Sequence, residues 1–268
     1  MKRASPDAGE ISGRPRTSRV RGVIGGLAGA VSLLTIIPVP SGWADPELTE
    51  PSSPAAWLPL VGGLLGAAAG GVDLLAASLF GATAATALAM ATLVVLSGGL
   101  HQDALADFAD GLGVRSGRAR RLEVMRDSTL GTFGVLALVG WSLLLFAALA
   151  SMTRGHVLRA LIVAGATGRL AALVHAMVTS PARSDGLGAN FSASPPAAFV
   201  AAAASAAIAI GVLGAWRAGL ALAVSLLVAV ATAVWASSKL GGRTGDTLGT
   251  AVALTELAVC LGLLASWR

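Results

Sequence analysis

Three aspartates, Asp103, Asp107 and Asp110, stand at positions i, i+4 and i+7 within "GGLHQDALADFADGLG" (98–113), directly after an apolar run long enough to cross a bilayer. On a helix turning 100° per residue they share a stripe about 60° wide. Carboxylates that close repel one another unless a cation sits between them. An all-oxygen donor set favours Mg²⁺, Mn²⁺ or Ca²⁺, and Mg²⁺ is commonly held by a few carboxylates and completed by substrate phosphates. The pattern therefore points to a divalent metal on Asp103, Asp107 and Asp110 that handles a phosphorylated substrate. A merely solvated helix face is the alternative. Against it, Leu105, Phe108 and Ala109 make the other face apolar, so the segment should lie on the membrane surface or the bundle.

Further polar groups fall in a few short stretches. In "EVMRDSTLGTFG" (123–134), Glu123 and Asp127 are again four apart, and Arg126 offers a forked donor suited to phosphate oxygens. Arg118, Arg120 and Arg121 precede it, some of them as topology markers only. "SDGLGANF" (184–191) and "KLGGRTGDTLGTAVALTE" (239–256) combine glycines with Asp185, Asn190, Arg243 and Asp246. Glycine-rich turns that open a helix can present backbone N–H groups to phosphate. Arg169 and Glu256 lie inside apolar runs, where ionisable groups are functional or paired, and a structural Arg169–Glu256 pair is one reading. His175 reads as hydrogen-bonded within the bundle, and Asp73 has no assignment.

The elements that must position these groups are membrane helices. The chain has 268 residues, 55% apolar and 12% charged, with 34 glycines and one cysteine; soluble domains carry about 25% charge. One cysteine, Cys260, excludes an intramolecular disulfide and a CxxC site. A bilayer core needs about 20 apolar residues of helix, and such runs fall at 57–79, 83–99, 131–150, 157–178, 197–214, 218–236 and 248–267. The fold class is all-α, a polytopic membrane helix bundle of about seven spans. A shorter run, 22–37, is interfacial or spanning, with a cleaved signal peptide as a lesser alternative. Residues 1–19 read as a disordered basic tail, and 20–268 as one integral-membrane domain. If 22–37 stays in the interface, 14 of the 19 basic residues share one side, which the positive-inside rule makes cytoplasmic. The connections that carry the polar motifs then all lie on that face and can build one site. The net charge of +5 comes from scattered residues without an aromatic stripe, which fits anionic lipid headgroups and phosphate-bearing substrates, not nucleic acid.

Together the motifs resemble the cobalamin synthase (adenosylcobinamide-GDP ribazoletransferase) family. The matching stretches are "GGLHQDALADFADG" (98–111), "MRDSTLGTFGVLAL" (125–138), "GRLAAL" (168–173), "DGLGANF" (185–191) and "GGRTGDTLGTAVALTEL" (241–257), with "PVP" at 38–40 and "PLVGGLLG" at 59–66. The chain departs from the family's usual residues at Gln102 and Ala104, at Ile36, at Thr129 and at Ala253. "DFADGLGVR" (107–115) is also similar to the first half of the CDP-alcohol phosphotransferase pattern, whose second half fails at Val124 and Ser128. The family resemblance implies a plasma-membrane enzyme with its site on the cytoplasmic face. It would move the cobinamide phosphoryl group from adenosylcobinamide-GDP to α-ribazole or its 5′-phosphate and release GMP. Mg²⁺ on Asp103, Asp107 and Asp110 would bridge the diphosphate. Asp127 or Asp246 would accept the attacking proton, and His101, Arg126, Arg169, Asn190, Arg243 and Glu256 would contact substrate. A homo-oligomer is possible within this reading. The rivals are a transporter with a path through Arg169 and Glu256, and a membrane scaffold; no internal repeat of the kind common in transporters is visible.

Overall fold

The computed structural model describes residues 16–40, 42–43, 53–191 and 193–268. Among them the chain is helical, joined by turns and one isolated parallel bridge between Pro181 and Arg243. In chain order the helices are α1 (Arg16–Leu34), α2 (Pro54–Ser97), α3 (Leu100–Gly113), α4 (Arg118–Val124) and α5 (Thr132–Ala150). They continue with α6 (Arg154–Val178), α7 (Leu187–Asn190), α8 (Pro195–Leu213), α9 (Ala215–Leu240) and α10 (Gly245–Ser266). Six of these, α2, α5, α6, α8, α9 and α10, are long and apolar enough to cross a membrane. The protein is a polytopic helical bundle.

The 44 residues of α2 would make a straight rod of about 66 Å, twice the apolar thickness of a bilayer. It is not straight. Gly81 breaks the helix at φ 81°, ψ 166°. The Thr86 hydroxyl then reaches the Asp73 carboxylate at 3.4 Å, and Arg154 donates to Asp73 at 2.7 Å and to Thr86 at 3.1 Å. Thirteen residues of straight helix would hold Asp73 and Thr86 about 20 Å apart, so the chain doubles back at Gly81 into antiparallel legs, 54–80 and 82–97. The expected runs 57–79 and 83–99 are these two legs. Gly214 adopts nearly the same conformation, φ 77°, ψ 166°, between α8 and α9.

The apolar part of α1, Gly22–Leu34, spans only about 20 Å, less than a bilayer core. Its Ala30 and Leu34 pack with Leu58 and Val61 of α2. Of the expected tail 1–19, residues 1–15 lie outside the described residues and 16–19 belong to α1.

The most enclosed helix, α6, touches α2, α8, α9 and α10. Small residues allow that crowding: a side chain at Gly62 would land on the Gly165 carbonyl, and one at Gly66 on the Leu161 carbonyl. Close backbone approach of this kind replaces the hydrophobic effect as the cohesive force between helices in lipid. At the end of the bundle that carries Arg154, His156 stacks on Trp267 at 4.1 Å, and Arg217 lies over Trp216 and Trp267. The polar motifs gather at the other end, where α6 stops and α10 starts.

Candidate active site

The aspartate stripe is set by what α3 buries on its other side. His101, Ala104, Leu105 and Phe108 turn inward, leaving Asp103 exposed and Asp107 and Asp110 partly so. Gly98 and Gly99, at φ 62° and 71°, end α2 and release the chain into α3. α3 then packs against α10 at a contact that needs glycine, because a Cβ on Gly249 would sit 2.5 Å from the Ala104 Cβ. Thr250 fixes the pair by donating to the Ala104 carbonyl at 3.0 Å. This contact brings Asp246, in the first turn of α10, to the stripe. Its carboxylate accepts from Arg183 at 3.2 Å and from the Thr244 hydroxyl at 3.1 Å.

Negative charge is concentrated here. Burial, followed by the neighbouring Asp103, Asp246 and Asp110, pushes the Asp107 carboxyl up to about 7, with Arg183 opposing. His101 is held well below its usual range by burial and by Arg169, so its imidazole is neutral at physiological pH.

Beside these groups lies a cavity of about 250 Å³. Leu34, Leu58, Ala172, Phe191 and Val252 form its apolar wall. His101, Asp103, Arg169, Arg183 and Asp246 contribute its polar atoms. A second, more open groove of about 590 Å³ is edged by Glu123, Arg126, Ser184 and Asp185, and Arg183 lines both.

Several expected site residues have other partners. Both Asp110 oxygens accept backbone N–H groups at the start of α5, from Gly131 at 2.8 Å and Gly134 at 2.9 Å. Asp110 therefore anchors α5 to α3, and among the described residues no three or more acidic, His or Cys side chains are grouped so that they could hold a metal ion. Arg243 is expected to meet substrate, but its buried guanidinium is consumed by backbone carbonyls of Gly188, Ala176, Thr179 and Phe191. It ties the end of α6 to the α7 turn. Asp127 sits on an exposed turn, accepting from the Thr129 N–H at 2.9 Å and hydroxyl at 2.7 Å, which hold its carboxyl below the usual range. Asn190 is exposed at the end of α7 and outside the lining of either cavity. Arg126 forms an exposed double hydrogen bond with Asp185, at 2.5 and 2.7 Å, in the second groove. Arg169 and Glu256 form the buried ion pair. Arg169 also lines the first cavity, and its Nε has no partner among the described residues. His175 is hydrogen-bonded within the bundle, to Thr232 at 3.0 Å and Thr247 at 3.4 Å.

Residues 26–264 match the family model described as cobalamin-5-phosphate synthase. The chain belongs to that family. A relative from Bradyrhizobium diazoefficiens, named adenosylcobinamide-GDP ribazoletransferase, is 37% identical over 92% of this chain and 96% of its own length. Relatives of the same name from Brucella melitensis and Brucella ovis are 36% and 35% identical, each over 91% of this chain and 97% of its own. No solved structure matches the chain.

In this member of the cobalamin-5-phosphate synthase family, the residue that sequence reasoning missed is Arg183. It is the only basic residue in the connection 179–196 and reads there as a topology marker. Its position two residues before Asp185, at the head of a family-like stretch, is the signal that could have singled it out.

Proposed function

We propose that this protein transfers the cobinamide phosphoryl group of adenosylcobinamide-GDP to a ribose hydroxyl of α-ribazole, or of α-ribazole 5′-phosphate, with release of GMP. The observation that carries the proposal is that Asp103, Asp246 and Arg183 line one cavity, with the Asp107 carboxyl close enough on α3 to feel the charge of all three. Membership in a family whose relatives are named for this transfer supplies the substrates. In the reaction, the acceptor oxygen forms a new P–O bond to the cobinamide phosphorus. The bridging P–O bond of the diphosphate breaks, its electron pair leaves on the GMP phosphate, and the hydroxyl proton passes to a base.

The residues fit a hard divalent cation, for which Mg²⁺ is the natural choice. The donors are carboxylate oxygens, and Asp107, its carboxyl raised to about 7 first by burial and then by Asp103, Asp246 and Asp110, has excess negative charge around it. Asp103 and Asp107 would hold the ion. Asp110, committed to α5, would keep α3 in place. Two protein carboxylates, with water and substrate oxygens completing the shell, are a usual arrangement for Mg²⁺. Such an ion would supply charge neutralisation at the diphosphate and the departing phosphate. The chain's own contribution is positioning and fixed charge, which dominate phosphoryl transfer. Arg183 and the free Nε–H of Arg169 would receive phosphate oxygens, and Arg126 would receive those of the leaving nucleotide. Neutral His101 would donate or accept one hydrogen bond without adding charge. Asp246, at the cavity edge, replaces Asp127 as the acceptor of the hydroxyl proton. Among the described residues the connections on the carboxylate side hold eight Lys and Arg residues against four at the other end, so that side is cytoplasmic in the plasma membrane.

The test is incubation of the purified protein with adenosylcobinamide-GDP, α-ribazole and Mg²⁺, with nucleotide and corrinoid products separated chromatographically. GMP and a cobalamin product should appear in equal amounts and stop on addition of a chelator. Unchanged substrates under these conditions would refute the proposal.

A further inference from the structure

The two cavities differ in chemistry. The less open one, about 250 Å³, is lined mainly by leucine, valine and phenylalanine side chains, together with His101, Asp103, Arg169, Arg183 and Asp246. The open one, about 590 Å³, is edged by Glu123, Arg126, Ser184 and Asp185. Among the described residues only Arg183 belongs to both linings. A displacement at phosphorus brings the entering oxygen in on one side and sends the leaving oxygen out on the other. Two compartments meeting at a guanidinium therefore suit a reaction in which two large groups change places on one phosphorus.

The chemistry of the substrates decides which compartment takes which. The α-ribazole base is a flat, uncharged benzimidazole, and removing it from water against apolar side chains is favourable. A guanosine monophosphate carries a polar purine and a charged phosphate, which would lose hydration against leucines without compensation. Facing Arg126 and Arg183, that phosphate has forked donors instead. We infer that the apolar cavity formed with Phe191 and Val252 is the acceptor compartment for the benzimidazole nucleoside, and that the groove beside Arg126 receives the departing guanosine nucleotide. The diphosphate crosses between them at Arg183. This division rests on the transferase reading. The bonds made and broken are those given above: acceptor oxygen to cobinamide phosphorus, bridging oxygen away with GMP, and the hydroxyl proton to Asp246.

Full-length protein in lipid nanodiscs allows the two compartments to be tested separately, through KM for α-ribazole, the inhibition constant of GMP, and kcat. Phe191→Ala and Val252→Ala shorten two different elements of the apolar wall, and either one alone could disturb folding. Both should raise KM for α-ribazole by about tenfold or more, the scale of lost apolar contact in a pocket, while leaving GMP inhibition unchanged. Ser184→Trp, at an exposed edge of the groove, should do the reverse, weakening GMP and sparing α-ribazole. Direct binding of α-ribazole without donor, followed by its benzimidazole fluorescence, should weaken in the first two variants and not in the third. The opposite pattern, or a parallel change of every constant in all three variants, would overturn the division of the cavities while leaving the transferase reading intact. A wild-type protein that releases no GMP would remove both.

Discussion

Asp107 is the most informative single residue. Its carboxyl is pushed up to about 7 by burial and by the carboxylates around it, so at neutral pH a proton would compete with the proposed cation for the same oxygens. Below pH 7 a cation must displace the proton, and above it the carboxylate is already free. Metal affinity, measured by calorimetric titration with Mg²⁺ or Mn²⁺, should fall as pH drops from 8 to 6 and level off above about 7.5. An affinity flat across that range would show that Asp107 is not a ligand. Arg243 makes the contrasting case. Its Ala variant orphans several buried carbonyls, at about 1–3 kcal/mol for each left unpaired, so Arg243→Ala should melt markedly earlier in detergent. Spacing alone made the Asp103 and Asp107 stripe legible, because a helical period is written in the residue numbers. The different duties of Asp110 and Arg243 were not legible. Each depends on backbone groups from an element distant in the chain, the α5 N-terminus for Asp110 and the ends of α6 and α7 for Arg243.

At the scale of elements, the site depends on α3 lying against α10. The Gly249 contact with Ala104 sets that distance. Gly249→Ala should push α3 away, cost about 1–3 kcal/mol as overpacking does, and lower kcat by separating Asp246 from Asp103 and Asp107. Adding Ala104→Gly restores the space, so the double variant should recover much of the lost kcat; steady-state assays of the three proteins would decide. A double variant no better than the single one would mean that the contact does not position the site. The apolar runs were legible as helices because lipid admits little else. The break at Gly81 was legible as a gap between the runs 57–79 and 83–99, although the backbone there needs only a single residue to reverse. The packing of α3 on α10 was hidden, since "TLGT" reads equally as a turn or as a helix contact.

For the whole molecule, the carboxylates and arginines proposed to handle phosphate lie at one end of the bundle, while Arg154, Arg217 and the tryptophan cluster mark the other. Charge asymmetry predicts that the carboxylate end faces the cytoplasm. Cys260 is buried, which leaves the background clean for labelling. Ser184→Cys at the site end should resist a membrane-impermeant maleimide in intact cells, whereas Ser151→Cys at the other end should react; the reverse pattern would invert the orientation. The reaction itself is tested most directly by GMP release from adenosylcobinamide-GDP in the presence of α-ribazole and Mg²⁺, comparing wild type with Asp103→Ala and Asp107→Ala of matched detergent melting behaviour. Both variants should lose about 100-fold or more of the rate, as when a transition-state charge partner is removed. GMP release at the wild-type rate from either folded variant would contradict a site built on these two carboxylates.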